Sequence, residues 1–133
     1  MTTQSKRNLK VLLVEDDPIF VLLAQIKLKQ LGIEAVLSVE NGLCALNYLQ
    51  VNTPDLIFLD INMPTMDGFE FLNAIEHYDM CPATPIVMLT SAGSTRDRQW
   101  AMHYRNVIDY IEKPLTIPKI EALLGKLNLT STV

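Results

Sequence analysis

Short apolar runs recur along this chain, and each is followed by a segment whose apolar positions return every three or four residues. The runs are LKVLLV (9–14), EAVLSV (34–39), DLIFL (55–59), PIVMLT (85–90) and VIDYIE (107–112). Runs of this length predict strands. The segments between them predict helices over 18–31, 41–50, 68–78, 94–104 and 117–127. Pro18 in the first turn and Gly32 just past the end frame the first helix. Five strands alternating with five helices predict an α/β fold, a parallel sheet covered on both faces. Right-handed crossovers leave few topologies for it.

Composition narrows the function classes. The 133 residues (15.0 kDa, 49 % apolar) suffice for one ordinary domain with a proper core. A net charge of −4 and a pI of about 5.0 give no basic footprint, so direct nucleic-acid binding is not expected. No run approaches the roughly 18 apolar residues of a membrane span. The polar MTTQSKRN start is neither a signal peptide nor a lipidation motif. Cys44 and Cys81 lack metal-ligand spacing and read as reduced thiols, which suits a cytoplasmic location. No repeat, low-complexity segment or linker is visible. The expected organisation is a disordered segment over 1–8, one domain over 9–127 and a tail over 128–133. Met1 and the polar TSTV ending favour a complete chain.

The candidate chemistry gathers at the carboxyl ends of the strands, where open α/β sheets place their ligand sites. Asp60 ends one apolar run, and a polar loop, INMPTMDG, follows at once. Glu15-Asp16-Asp17 ends another. Carboxylates brought together there repel one another unless a cation joins them, and a hard, oxygen-seeking cation such as Mg²⁺ suits them. A metal-assisted phosphate site centred on Asp60 is the expectation. Thr90 and Lys113-Pro114 also stand at strand ends. With the strands in the order 2-1-3-4-5, strands 1, 3, 4 and 5 are neighbours, and these acids, one hydroxyl and one cation line a single crevice.

Taken together, VLLVEDDP, FLDINMPTMDG, MLTSA and YIEKPL resemble the receiver domain of bacterial two-component response regulators, from about residue 9 to residue 127. The resemblance implies a flavodoxin-like doubly wound (βα)5 fold with sheet order 2-1-3-4-5. It implies that Asp60 is the phosphoacceptor, that Asp16 and Asp60 ligate Mg²⁺ with Glu15 assisting, and that Asn62 offers the metal its backbone carbonyl. Thr90 and Lys113 would each bond a phosphoryl oxygen. Tyr110 would change rotamer as Thr90 moves, and the Lys113–Pro114 bond would be cis. The implied partners are a sensor histidine kinase or a histidine phosphotransfer protein, and a downstream protein target that the sequence does not name. The helix over 94–104, the strand over 107–112 and the helix over 117–127 would form the output face. With Ala101 assigned to the core face of its helix, two positions are open to Trp100: sideways towards that output face, as a contact residue, or folded down on Tyr104 as local packing.

The implied roles agree with elementary chemistry. A carboxylate nucleophile needs no deprotonation at neutral pH. Phosphoryl transfer is mostly positioning and electrostatic stabilisation, for which one lysine is a suitable point charge. Asp17 before Pro18 reads as a helix cap, Asp67-Gly68 as a turn and helix start, and His77 and His103 as solvated surface residues. Three positions depart from the common pattern. Glu15 replaces a more frequent Asp. Asn106 stands where a Gly is usual and is expected to take a left-handed conformation. Ala92, two residues after Thr90, has no polar side chain.

A different class, the aspartate-nucleophile phosphohydrolases, shares a faint likeness at Asp60-Ile61-Asn62. Those enzymes need a second Asp as general acid, and the corresponding residue here is Asn62. The regulatory reading is therefore preferred: a phosphorylated domain whose output is a protein–protein contact.

Overall fold

In the computed structural model, which describes residues 9–91 and 95–127, every expected element is present. The strands are β1 (Lys10–Val14), β2 (Ala35–Val39), β3 (Leu56–Asp60), β4 (Ile86–Thr90) and β5 (Val107–Glu112). The helices are α1 (Pro18–Gln30), α2 (Gly42–Leu49), α3 (Gly68–His77), α4 (Thr95–Ala101) and α5 (Ile117–Lys126). All strands pair in parallel, in the order β2-β1-β3-β4-β5. The terminal segments over 1–8 and 128–133, and Ala92, lie outside the described residues. The largest boundary difference is at α4, which stops at Ala101 rather than near 104. There the amides of His103 and Tyr104 bond the carbonyls of Trp100 and Ala101, and three-residue bonds of this kind tighten and end a helix.

Strands β3 and β4 are buried at every position. Successive strand residues face opposite sides, so runs without polar alternation feed two apolar layers. On one side Leu12, Ile57, Leu59 and Met88 pack with Phe71, Leu72 and Ile75 of α3. On the other Leu13, Phe58, Val87 and Leu89 pack with Leu28 of α1 and with Ile120 and Leu123 of α5. Each such side chain contributes about 1.5–3 kcal/mol on full burial.

Local sequence sets the helix ends. Asp17 Oδ1 accepts from the amides of Ile19 and Phe20 at 3.0 and 3.3 Å, as expected of a cap. At the other end of α1, Gly32 has φ +89°, and the amides of Ile33 and Gly32 donate to the carbonyls of Leu28 and Lys29. That bond pair closes the helix, and the buried Ile33 and Leu28 complete the motif. Asp67 and Glu70 form a reciprocal capping box at the start of α3. The Lys113–Pro114 bond is cis, as expected.

Asn106 corrects an expectation. It is not among the residues of positive φ; Thr65, Asp79 and Cys81 are. Instead Asn106 is buried, and its Nδ2 donates to the carbonyls of Cys81 and Thr84, both at 2.9 Å. It ties the loop before β4 to the start of β5. The side-chain amide supplies donors that a glycine lacks, so its value here is in bonding rather than in backbone freedom.

Candidate functional site

Because β1, β3, β4 and β5 are adjacent, whatever follows their last residues shares one end of the sheet. Glu15 and Asp16 follow β1, Asp60 is the last residue of β3, Thr90 the last of β4, and Lys113 follows β5. The structure brings all of these together. Glu15 and Asp60 are buried, 3 % and 4 % exposed, while Asp16 lies open to solvent. One carboxylate oxygen from each of Glu15, Asp16 and Asp60 lies within 4.8 Å of the others. Lys113 Nζ stands 2.7 Å from Glu15 Oε1 and 3.5 Å from Asp60 Oδ1. Thr90 is buried, and its carbonyl accepts from the Lys113 amide at 2.6 Å, which fixes the chain as it leaves β5.

Three carboxylates thus face one ammonium. Burial pushes the Glu15 carboxyl up to about 7 against the pull of Lys113, and the Asp60 charge adds to the rise. Burial also raises Asp60, opposed chiefly by the Lys113 charge. For Lys113, burial acts downwards, but its bond to Glu15 and the attraction of both carboxylates outweigh it, and the net shift is upwards. Burial leads the rise of both carboxyls, and the mutual repulsion of the acids adds to it, while the rise of Lys113 reflects the acids around it. Three oxygen donors at this separation, with negative charge in excess, fit a hard divalent cation such as Mg²⁺.

Two neighbours of the cluster were not legible in the sequence. Phe20, in the first turn of α1, lies under Lys113 with Nζ 4.6 Å from the ring centre, a cation–π contact. These residues are far apart in the chain, and only the tertiary fold brings them together. Gly68 fits a turn and helix start, but the requirement for glycine there is tertiary. A Cβ there would meet the Asp60 carbonyl oxygen at 2.8 Å and Ile61 Cα at 3.0 Å. The Gly68 amide donates to the Ile61 carbonyl at 2.9 Å. The start of α3 is therefore pressed directly onto the strand end that carries Asp60.

The remaining expected residues are accounted for as follows. Asn62 is exposed in the loop after β3, and its amide bonds the Asp60 carboxylate. Tyr110 is turned inwards, 8 % exposed, with a buried hydroxyl that has no hydrogen-bond partner among the described residues. The Arg98 guanidinium of α4 lies 6.0 Å from its ring centre. Trp100 is 60 % exposed, as expected, but leans on α3, edge-on to Phe69 at 6.4 Å between ring centres. Two residues earlier on α4, Arg98 is the side chain that lies beside Tyr110 of β5. His103, just past the end of α4, has its Nδ1 2.7 Å from the Gln99 carbonyl, and His77 stacks edge-on with Tyr78. Neither histidine joins the acidic cluster.

A doubly wound parallel sheet with acids, a hydroxyl and a lysine at its carboxyl end defines a class of phosphate-handling signalling domain. Residues 11–125 match the model of the response regulator receiver domain, and the chain belongs to that family. It is 36 % identical over 117 residues to the sensor histidine kinase GacS of Pseudomonas protegens, a match covering 86 % of this chain and 12 % of that protein. It is 35 % identical over 115 residues to the autoinducer 1 sensor kinase/phosphatase LuxN of Vibrio campbellii, covering 86 % of this chain and 13 % of that one. The chain thus spans only a small fraction of these curated relatives. Among solved structures it is similar to a two-component response regulator from Cytophaga hutchinsonii (29 % identity, TM-score 0.81, covering 89 % of this chain and 95 % of that one). Vibrio cholerae chemotaxis protein CheY4 is also similar (30 % identity, TM-score 0.78, covering 90 % and 98 %). So is the receiver domain of sensor histidine kinase PA1611 from Pseudomonas aeruginosa PAO1, described with a magnesium ion coordinated in its active-site cleft (26 % identity, TM-score 0.78, covering 90 % and 96 %). The fold is the flavodoxin-like receiver fold, and the chain is a phosphoacceptor receiver domain of two-component signalling. Among the described residues no helix is long and apolar enough to cross a membrane.

Proposed function

We propose that Asp60 is the residue phosphorylated, within a functional unit spanning residues 9–127. The observation that carries this reading is the convergence of the Asp60 carboxylate with Glu15, Asp16 and Lys113 at one end of the sheet. A phosphohistidine of a sensor histidine kinase or a histidine phosphotransfer protein is the donor. An Asp60 carboxylate oxygen attacks the phosphorus in line. The phosphorus–nitrogen bond breaks, the imidazole nitrogen leaves with its electron pair, and an acyl phosphate forms.

Asp16 and Asp60 would hold Mg²⁺ directly, with Glu15 assisting and the Asn62 carbonyl as a further ligand. A cation held there would offset the negative charge that the phosphoryl oxygens bring to an already acidic cleft. Lys113 is close enough to Asp60 to accompany a phosphoryl oxygen as a point charge. Thr90, at the end of the neighbouring strand, would bond another through its hydroxyl, and its movement would couple the site to Tyr110. The product is a shifted equilibrium between two conformers, read by another protein. The only chemistry proposed is the domain's own phosphorylation and dephosphorylation, because Asn62 cannot serve as the general acid that a phosphohydrolase needs.

The test is incubation with acetyl phosphate and Mg²⁺, followed by mapping of the modified residue. One phosphoryl group on Asp60, lost in Asp60→Asn and suppressed by excess chelator, is expected. Labelling that survives Asp60→Asn, or that runs to completion in chelator, overturns the reading.

A further inference from the structure

Lys119 stands where a helix disfavours a cation. Thr116 caps α5 and accepts from the Lys119 amide at 3.4 Å, so Lys119 is the third residue of the first turn. That turn carries the positive end of the helix dipole, and acids are favoured there. A glutamate or glutamine at this position would complete a capping box with the threonine, as Glu70 does with Asp67 in α3. The first turn of α5 instead holds no acid, and a lysine fills the capping-box position.

The side chain turns back past the cap and away from its helix. Lys119 Nζ donates to the carbonyl of Glu112 at 2.6 Å and to that of Pro114 at 3.0 Å. These carbonyls belong to the residues immediately before and after Lys113. Strand β5 is an edge strand with β4 as its one neighbour. The Lys113 amide points towards β4, where it donates to the Thr90 carbonyl at 2.6 Å. Across a planar trans peptide the carbonyl points the opposite way, so the Glu112 carbonyl faces the open edge of the sheet. Lys119 supplies the donor that no strand provides there. The peptide leading into Lys113 is thus bonded on both sides, by Thr90 within the sheet and by Lys119 outside it. Pro114 offers no N–H, and its carbonyl is the group that Lys119 holds on the far side of Lys113. Lys119 forms no ion pair with a described carboxylate, so its ammonium is given over to these two carbonyls.

We infer that Lys119 is a positioning residue for Lys113: it fixes the backbone on both sides of Lys113 and so keeps the Lys113 ammonium directed into the acidic cleft. This rests on the reading of Asp60 as phosphoacceptor and of Lys113 as the charge that accompanies the phosphoryl group. Lys113 Nζ reaches Glu15 Oε1 at 2.7 Å and Asp60 Oδ1 at 3.5 Å, on a side chain 18 % exposed. Its stem is flexible, and a loose backbone beneath it would widen the range of places the ammonium could occupy. A charge that must meet a phosphoryl oxygen at one point loses effect as that range widens.

Lys119→Met removes the donor and keeps the length of the side chain. It also takes a cation from the positive end of α5, so for the helix alone it is neutral or stabilising. Two measurements on the whole chain read the positioning. Hydrogen exchange of the Lys113 amide, followed by NMR, should quicken by about tenfold in Lys119→Met, while the β3 amides exchange as before. Phosphorylation of Asp60 by acetyl phosphate and Mg²⁺ should slow by about three- to tenfold. Lys119→Arg keeps a charged group with several donors and should restore both. In a Lys113→Ala background, Lys119→Met should slow phosphorylation no further, because its effect passes through Lys113. Unchanged exchange at Lys113, or an equal rise throughout β3, overturns the inference. So does labelling at the wild-type rate in Lys119→Met, a loss that Lys119→Arg does not restore, or a loss that adds in full to that of Lys113→Ala. A failure of the underlying reading is distinct: the wild-type chain then labels elsewhere than Asp60, or Lys113→Ala labels at the wild-type rate, and the inference falls with it.

Discussion

The hydroxyl of Tyr110 is an unusual feature at the level of single residues. The ring is buried in the layer that includes Met88 and Ala101, yet its oxygen has no partner among the described residues. A buried polar group left unbonded costs about 1–3 kcal/mol. Tyr110→Phe removes that cost and keeps the ring, so it should raise the stability of the unphosphorylated domain by up to about 1 kcal/mol. Tyr104 is a control of the opposite sign, because its hydroxyl donates to Asn73 Oδ1 at 2.6 Å. Tyr104→Phe should be neutral or slightly destabilising. Urea unfolding of both variants decides it, and a loss of stability in Tyr110→Phe would mean that the hydroxyl is satisfied in solution. A second prediction at this scale concerns lifetime and rests on the family resemblance. Ala92, outside the described residues, cannot bond the water that attacks an acyl phosphate. Ala92→Asn or Ala92→Glu should speed hydrolysis, by at most about tenfold, since one well-placed hydrogen bond supplies about 1.4 kcal/mol of barrier. Following the loss of acyl phosphate after removal of the donor checks this, and equal or slower decay in the variants would show that Ala92 does not limit the step.

Between elements, two glycines do different work and their substitutions should separate it. Gly32 closes α1 at φ +89° with open space around it. Gly32→Ala should cost about 1–2 kcal/mol through backbone conformation alone, and should leave phosphorylation of the folded protein unchanged. Gly68 lies where α3 abuts the end of β3, and an added Cβ would collide with backbone of Asp60 and Ile61. Backbone cannot swing aside as a flexible side chain can. Gly68→Ala should therefore lower stability and also slow phosphorylation by at least tenfold, because a displacement of about 1 Å at a reacting group is costly. Urea unfolding and acetyl phosphate labelling of the two variants, run side by side, test the distinction. Normal labelling of Gly68→Ala would show that the strand end holds its geometry without that contact.

For the whole molecule, the cost of assembling the cluster should appear as a pH dependence. The Glu15 carboxyl is raised from 4.5 to about 7 on folding, and Asp60 is raised from 3.8, burial being the leading cause in both. An acid whose pKa rises on folding favours the folded state while it is protonated. Its stabilising contribution is full below the unfolded value and is lost as the pH climbs through the folded one. In chelator, the urea midpoint should therefore fall between about pH 4.5 and pH 7. Excess Mg²⁺ should flatten that decline, because a ligand of the folded state stabilises it and prefers the ionised carboxylates. A midpoint that rises over this window in chelator, or that ignores Mg²⁺, would show that burying the ionised carboxylates of this cluster costs the fold nothing.

The sequence alone determined the element order, because five short, mostly apolar runs separated by helical periods admit little besides a doubly wound parallel sheet. It also located the chemistry, because Glu15, Asp16, Asp60, Thr90 and Lys113 each stand directly at a strand end, and β-adjacency then brings strand ends together. Local signals such as Asp17 and Asp67-Gly68 were readable because a cap bonds amides only a few residues away. The tertiary structure alone decided whatever depends on residues distant in sequence. Asn106 has the composition of a left-handed cap, yet bonds carbonyls 22 and 25 residues away. Phe20 carries no polar signal, yet lies under Lys113. Trp100 was legible as exposed but not as leaning on Phe69, since the direction of a helix face is set by what it packs against. Gly68 reads as a turn residue, and only the approach of α3 to β3 makes its missing side chain a requirement of the site. Periodicity records which side of an element is apolar, whereas contact between elements depends on how closely and at what angle they meet.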